Sequence, residues 1–447
     1  MTAPITIAIR RENARKFEAR TPLLPEQVAQ ILARFPEVTF LVQPSQLRAY
    51  ADAAYANAGA TVKEDLSEAD IILCIKEVYP EQLIDGKAYF VFAHVIKGQI
   101  GNMPMLQELL DRRITLVDYE SIVDAAGRRT VYFGRSAGHA GMLETLRSLG
   151  NRLMSLGTPS VFSQLRPIYD YPDLAAALAH LGELAEAIRQ NPAATGLGHY
   201  PAVFAVAGLG NVGQGAIEIF KHLPHRVVAT SELANVAQST EPGLVLCPMT
   251  KADLLRNKAG IFDPAEYAAD PFSHRSLLPE MLINLTVLLN CVFYAPHLPK
   301  LLPQAEFCAA WRVRPQRLQV VGDLSCDPPD GSVACSVGAG DLHHPTFDYD
   351  PFTEEVSQSF GAGTVTVMAI DNLCAGLPVD ASVAFGTMLL PYLEGLIAAH
   401  REKRNLLHCL PADVARAVVT HQGQLTERFA YLETPIRSTL AKKALKV

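Results

Sequence analysis

Three titratable groups, Lys76, His94 and Lys97, stand just beyond short apolar runs in the first part of the chain, and Arg20, Arg128 and Arg129 lie in polar stretches around them. Guanidinium forks bind carboxylates through paired, charge-assisted hydrogen bonds. Several such cations together suit a substrate carrying several carboxylates. An imidazole with an ordinary pKa of about 6.5 suits a general acid or base. Each residue alone has a plainer reading as well. The cations fit a solvated surface, and His94, directly after YFVFA, fits a satisfied core histidine.

The elements that must position these groups follow from hydrophobic pattern. Short apolar runs at 5–9, 39–42, 71–75, 89–93 and 115–117 alternate with helical patterns at 25–35, 50–58 and 105–112. That alternation predicts a parallel α/β sheet. Lys76 and Glu77 follow the third strand directly, His94 the fourth, and Asp118, Tyr119 and Glu120 the fifth. Ligands of open α/β sheets sit at such strand ends.

A second α/β pattern is organised around 202–220, AVFAVAGLGNVGQGAIEIF. An apolar strand runs into Gly208, Gly210 and Gly213 in the order G-x-G-x-x-G, and a helical pattern follows. In this setting the first glycine serves a tight turn, the second a close approach to a pyrophosphate, and the third close packing of helix on strand. The amides of Asn211 and Val212 at the helix start favour an anion. Further strands are predicted at 226–229, 243–247, 287–293, 319–324 (carrying Asp323) and 365–370. Helices are predicted at 136–156, 174–189, 381–400 and 411–420, and 342–351 reads as a crossover. NAD-binding folds place an acid at the end of the second strand, about 20 residues past the glycines, on the ribose. Here 226–229 ends on Ala229, Thr230 and Ser231, and Glu232 comes late. A missing carboxylate removes a repulsion against a 2′-phosphate, so NADP(H) is preferred, with NAD(H) as the alternative.

The 447 residues call for two domains, and 49% hydrophobic with 19% charged residues is an ordinary globular balance. The net charge of -7, without a basic stripe, argues against nucleic acid. No secretory leader pattern opens the chain, and the apolar stretch 277–295 is broken by Pro279, Glu280 and two asparagines, so no membrane span is expected there. Eight scattered cysteines without C-x-x-C pairs suit small buried side chains in a reducing cytoplasm. No His/Cys spacing points to a metal.

An ordered set of segments resembles a known family: RRENARKFEARTPLLP (10–25), ILCIKEV (72–78), FAHVIKGQ (92–99), LVDYE (116–120), GRRTVYFGRSAGHAGM (127–142), GLGNVGQGA (208–216), FDPAEY (262–267), VGDLSCDPPDGSV (321–333), AIDNLCAGLPVDAS (369–382) and GTMLLPYLE (386–394). The chain resembles the saccharopine dehydrogenases of lysine metabolism, most nearly the lysine–2-oxoglutarate reductase half of aminoadipic semialdehyde synthase, within the alanine dehydrogenase and transhydrogenase group. The resemblance implies two Rossmann-like parallel-sheet domains with a cleft between them. The first would be discontinuous, 1–140 with 346–447, and 141–345 would hold the dinucleotide. It implies Lys76 and His94 as the acid–base pair, and Arg20, Glu77, Lys97, Glu120 and Arg129 as substrate-binding residues. It implies Gly208, Gly210, Asn211, Val212, Gly213 and Asp323 as cofactor-binding. Arg135 departs from the family pattern and receives no role.

The implied reaction joins the ε-amine of lysine to the ketone of 2-oxoglutarate and reduces the imine with a hydride to saccharopine. Three other readings stay open: the NAD-linked, lysine-forming direction, a different amino donor such as ornithine, and a non-catalytic regulator that keeps the fold. A homo-oligomer is compatible with all of them.

Overall fold

Six parallel strands build the first sheet, and their burial explains their pattern. They are β1 (Ile5–Ile9), β2 (Val38–Val42), β3 (Thr61–Val62), β4 (Ile71–Leu73), β5 (Ala88–Val91) and β6 (Thr115–Asp118), in the spatial order β3-β2-β1-β4-β5-β6. Successive side chains of a strand point to opposite faces. Ile5, Ile7 and Ile9 therefore join one core cluster with Ile71 and Leu73, while Ala8 and Ile72 join the cluster on the other face. Burial on both faces is why these strands read as continuous apolar runs. The order reverses between β1 and β4, and in doubly wound sheets ligands bind at that switch point.

The computed structural model describes residues 4–13, 17–197, 201–295, 297–313, 317–403 and 406–444. The chain forms two compact units, Met1–Phe133 with Pro378–Val447, and Gly134–Leu377. The second is built on β7 (Pro201–Ala207), β8 (His225–Val227), β9 (Gly243–Met249), β12 (Val287–Asn290), β13 (Val320–Asp323), β14 (Thr346–Tyr349), β15 (Val356–Ser357) and β16 (Val365–Met368), while β10 (Leu255–Arg256) and β11 (Arg275–Ser276) form a separate ribbon. The sheet order is β15-β14-β16-β13-β12-β7-β9-β8. The strand beside β7 is thus β9, paired from Pro201↔Gly243 to Ala207↔Met249, and β8 is the outer edge. The strand expected to flank the glycine turn is displaced by its successor.

Residues 346–377 belong to this second unit, not to the C-terminal return, which begins at Pro378 rather than at 346. The reason is local. Residues 342–351 do not simply cross over: β14 pairs antiparallel with β16. The buried Arg152 also reaches Asp348 at 3.1 Å, Thr366 Oγ1 at 3.1 Å and the carbonyl of Thr364 at 2.6 Å. A buried guanidinium must be paired, and these partners tie the β14–β16 region to the helix Gly134–Ser155.

The return into the first unit starts with the helix Pro378–Lys403, whose Phe385, Leu389, Leu393 and Ile397 are fully buried in the first core. Its stretch Pro378–His400 is long and apolar enough to cross a membrane by length and composition, and 44% of its most apolar window is buried inside the protein. The helix expected over 411–420 is one turn, Ala412–Ala415, followed by β17 (Val418–His421). β17 adds antiparallel to β6 and turns into β18 (Gln424–Leu425). Val418 and Val419 are buried against opposite faces, which favours a strand over a helix there.

Two glycines set how closely the helix Gly134–Ser155 meets the helix Asn211–Phe220. A Cβ on Gly138 would lie 2.1 Å from the carbonyl oxygen of Val212, and one on Gly215 would lie 2.2 Å from that of Arg135. Beside this contact Arg135 and His139 both pair with Glu218. Backbone cannot yield as a flexible side chain can. Gly138→Ala should therefore lower stability by about 1–3 kcal/mol or more, the range of overpacked cores. Chemical denaturation compared with Gly182→Ala, where an added Cβ meets nothing within 4 Å, measures it.

Candidate functional site

Beside the switch point of the first sheet, the ladder between β4 and β5 continues past both strand ends. Cys74 N donates to Phe90 O at 2.9 Å, and Phe92 N to Ile75 O at 3.1 Å. This carries Lys76 and Glu77 alongside Ala93 and His94. His94 Nδ1 is hydrogen-bonded to Glu77 Oε1, with side-chain exposures of 33% and 15%. A carboxylate partner places the proton on Nδ1 and turns Nε2 into the working nitrogen. His94 has a φ of 49°, in the left-handed region that a non-glycine residue adopts only when its surroundings hold it there. Asn102 Nδ2 supplies part of that hold, donating to His94 O at 3.1 Å and to Ala93 O at 3.3 Å.

Lys76 is held through its backbone. Its amide and that of Ile75 donate to the two oxygens of Glu12, at 3.0 and 2.6 Å, so the loop after β1 closes the end of β4. Burial and the nearby Glu18 push the Glu12 carboxyl up to about 7, against the opposing pull of Arg10 and these two amides. Among the described residues the Lys76 side chain makes no hydrogen bond or ion pair. Asp118, at the end of β6, is fully buried. It accepts the Glu120 amide at 3.0 Å on Oδ1, while Oδ2 makes no hydrogen bond. Burial pushes its carboxyl up to about 7, Glu120 adds to the rise, and the Glu120 amide and His94 hold it down.

The expected substrate-binding residues divide into four kinds. Glu120 and Arg129 are brought together, Arg129 Nη2 to Glu120 Oε1 at 2.5 Å, with Arg129 nearly half exposed. Lys97 lies exposed on the loop after His94, its amide on Gln99 Oε1 at 3.0 Å. Arg20 is almost fully buried, and its fork is closed on Glu18: Nε to Oε1 at 2.7 Å and Nη2 to Oε2 at 2.6 Å. Its guanidinium carbon stands 4.1 Å above the Phe133 ring. Phe133 packs on Phe92 at 5.7 Å, and Phe92 stacks under His94 at 6.3 Å. Arg20 thus belongs to the floor of the site, with Glu18 as its standing partner. Glu77, expected on the substrate, is the partner of His94.

In the second unit the glycine turn has the form that the sequence predicts. Gly208 takes φ 92°. A Cβ on Gly213 would sit 1.9 Å from the Gly208 carbonyl oxygen, so only glycine lets the helix start this close to the turn. Gly210 is the N-cap of the helix Asn211–Phe220 and makes no side-chain cap, which leaves the first amides, Asn211 to Gly213, uncapped. A Cβ on Gly210 would meet nothing within 4 Å. The cradle fits a dinucleotide pyrophosphate, held by the amides of Asn211, Val212 and Gly213.

Asp323, expected on the cofactor, is buried and turned inward. It accepts from Asn290 Nδ2 at 2.8 Å, Ser336 Oγ at 2.5 Å and Cys326 N at 3.3 Å. Burial raises its carboxyl, and Ser336 and Asn290 hold it down. It braces the loop beyond β13 and, through Asn290, the end of β12. That end adjoins the glycine turn: a Cβ on Gly208 would lie 2.9 Å from Cys291 O. Sequence reasoning gave no role to Glu12, Glu18 or Asn290, and it placed Asp118 at a strand end without naming what it meets. Glu12 and Glu18 share the segment of Arg20, and Asp118 the LVDYE segment, but no spacing rule says that a carboxylate will fold back onto a strand end.

The model of the alanine dehydrogenase/PNT N-terminal domain matches residues 8–140. The chain is 31% identical over 446 residues to the mitochondrial alpha-aminoadipic semialdehyde synthase of Mus musculus, covering 96% of this chain and 47% of that protein. It is 33% identical to the synthase of Arabidopsis thaliana, over 95% of this chain and 41% of that one. The chain thus spans about half the length of these relatives. It is 26% identical to the saccharopine dehydrogenase [NAD(+), L-lysine-forming] of Yarrowia lipolytica, with coverage of 88% and 92%. Two solved structures share the fold: an L-alanine dehydrogenase (TM-score 0.61, 16% identity, coverage 97% and 100%) and the transhydrogenase of Sinorhizobium meliloti (TM-score 0.55, 14% identity, coverage 94% and 98%). Over nearly all of its own length the chain is thus similar to about half of each aminoadipic semialdehyde synthase and to a saccharopine dehydrogenase, and its two mostly parallel sheets share the fold of the alanine dehydrogenase and the transhydrogenase.

Proposed function

We propose that this chain condenses L-lysine with 2-oxoglutarate and reduces the imine to saccharopine, in the direction of lysine degradation. The observation that carries the reading is the placing of Lys76 and the Glu77–His94 pair at adjoining strand ends beside the switch point. The likeness to the synthases supports the choice of substrates.

The chemistry needs proton transfer at three points. The ε-amine of lysine attacks only when neutral, and His94 Nε2 takes its proton, because Glu77 keeps the other nitrogen protonated. Attack at the ketone carbon gives a carbinolamine, and Lys76 Nζ supplies the proton with which its hydroxyl leaves as water. Glu77 stabilises the imidazolium formed in the first step. Arg129, with Lys97 on the neighbouring loop, binds the carboxylates of the oxo acid, and Arg20 sets the floor beneath His94. A dinucleotide held by the amides of Asn211, Val212 and Gly213 would supply the hydride for the imine carbon, and the proton held on His94 Nε2 goes to the imine nitrogen, giving the secondary amine.

The preferred cofactor in this reading is NADP(H). The strand beside β7 is β9, so the residues that follow it, not those after β8, stand where a Rossmann sheet reads the ribose. They are Thr250 and Lys251. The nearest acid, Asp253, is turned back on Thr250, its Oδ2 2.8 Å from the amide. Glu232, after β8, caps the Ala229 amide at 2.8 Å. The Lys251 ammonium lies 4.9 Å above the Tyr267 ring and is exposed, a position from which it can meet a 2′-phosphate.

A cofactor-oxidation assay with 2-oxoglutarate and a panel of amino acids tests the reading. Lysine should give the highest rate, and NADPH a higher kcat/KM than NADH. Lys251→Ala should weaken NADPH binding by about tenfold, some 1.4 kcal/mol, and leave NADH unchanged. A faster rate with ornithine, or no turnover with any donor, would overturn the proposal.

His94→Gln should keep dinucleotide affinity, measured by fluorescence titration, while kcat falls roughly 10²–10⁴-fold, the usual scale of a lost acid–base group. Turnover equal to the parent would remove His94 from the chemistry.

A further inference from the structure

The C-terminal segment of the first unit lies against the loop that carries His94. After β18 the chain forms a 3-10 stretch, Glu427–Leu432, and then the helix Glu433–Ala444. Phe429, Leu432 and Ile436 are buried in the same core cluster as Val91, Ala93 and Val95, the residues flanking His94. A Cβ on Gly98 (φ 68°) would come within 3.3 Å of Pro435. Tyr431 itself is 54% exposed, so its ring is not a core element. Yet its hydroxyl donates to the carbonyl of Ile96 at 2.6 Å, two residues beyond His94 and one before Lys97.

His94 needs such a hold. It occupies the left-handed region, and the Asn102 side chain fixes only the carbonyls on its own and the preceding residue. The Ile96 carbonyl is the next point along the loop, and Tyr431 reaches it from an element more than 300 residues away in sequence. Burial raises the pKa of the phenol, Arg428 opposes the rise, and Asp118 and Glu120 add to it.

We propose that Tyr431 is a positioning residue, its hydroxyl holding the Ile96 carbonyl so that the turn aims the His94 imidazole. The inference rests on the acid–base reading of His94. Tyr431→Phe in the full chain removes one hydroxyl from an exposed ring and should leave the thermal midpoint unchanged. Three results are expected. Amide hydrogen exchange over 93–98 speeds up. The His94 Cε1–H resonance moves. With lysine and 2-oxoglutarate, kcat falls about tenfold while the KM for 2-oxoglutarate and the dinucleotide Kd hold, as a displacement below 1 Å would cause.

An unmoved His94 resonance with unchanged exchange overturns the proposal. So does a loosened loop with kcat unchanged, which would make the contact merely structural. If the parent itself fails to turn over lysine and 2-oxoglutarate, the proposed function fails, and the exchange and the resonance still decide whether Tyr431 sets His94.

Discussion

The parallel pairing of β4 with β5, carried past the ends of both strands, is the constraint on which the first unit's chemistry depends. Parallel ladders advance in step, so two chains that stay bonded beyond their strands deliver their next residues side by side. Here that delivers Glu77 beside His94 and Lys76 beside Ala93. The neighbours on either side close the arrangement. Glu12, following β1, seals the exposed amides of Ile75 and Lys76, and Asp118 ends β6 directly across from Val91. Four adjacent strands thus each contribute a polar group at the same edge of the sheet.

That convergence has an electrostatic cost, and the molecule meets it unevenly. Arg20 and Glu18 are both almost completely buried and match each other fork to fork, which satisfies both charges. Among the described residues Glu12 and Asp118 have no such paired cation, and burial raises both carboxyls to about 7. The neutral form is the one that burial favours, which lessens the charge that these groups set beside the Glu77–His94 pair. Phe92, Phe133 and Phe385 pack on one another as an aromatic floor beneath His94.

The second unit solves a different problem, bringing backbone close to a ligand. Glycines do this at two levels. Gly208 and Gly213 let the turn and the helix start close on each other, and Gly138 and Gly215 let the next helix brace that same helix from behind. Asp323 completes the support, since its carboxylate is spent on Asn290, Ser336 and the Cys326 amide rather than offered outward. A site made of backbone amides is only as accurate as the packing beneath it, which is why so many close contacts converge behind this short turn.

Much of this was legible in the linear chain. The two α/β patterns, the glycine turn and the positions of Lys76, Glu77, His94 and Glu120 at strand ends follow from local apolar periodicity, because a buried strand and its polar terminus are written in consecutive residues. What stayed hidden depends on which strands become neighbours. The insertion of β9 between β7 and β8 puts Thr250 and Lys251, rather than Ala229–Ser231, after the strand that neighbours β7, and no local pattern records sheet order. The pairing of β14 with β16 and the Arg152–Asp348 bridge moved the unit boundary to Pro378. Arg20 on Glu18, Glu12 on the end of β4, and Tyr431 on the loop of His94 are contacts between a side chain and something that folding brings to it. Sequence alone determined which groups are available and on what elements they ride; only tertiary structure decided which of them meet, because hydrogen bonds and ion pairs act over a few ångströms of space, whatever the distance along the chain.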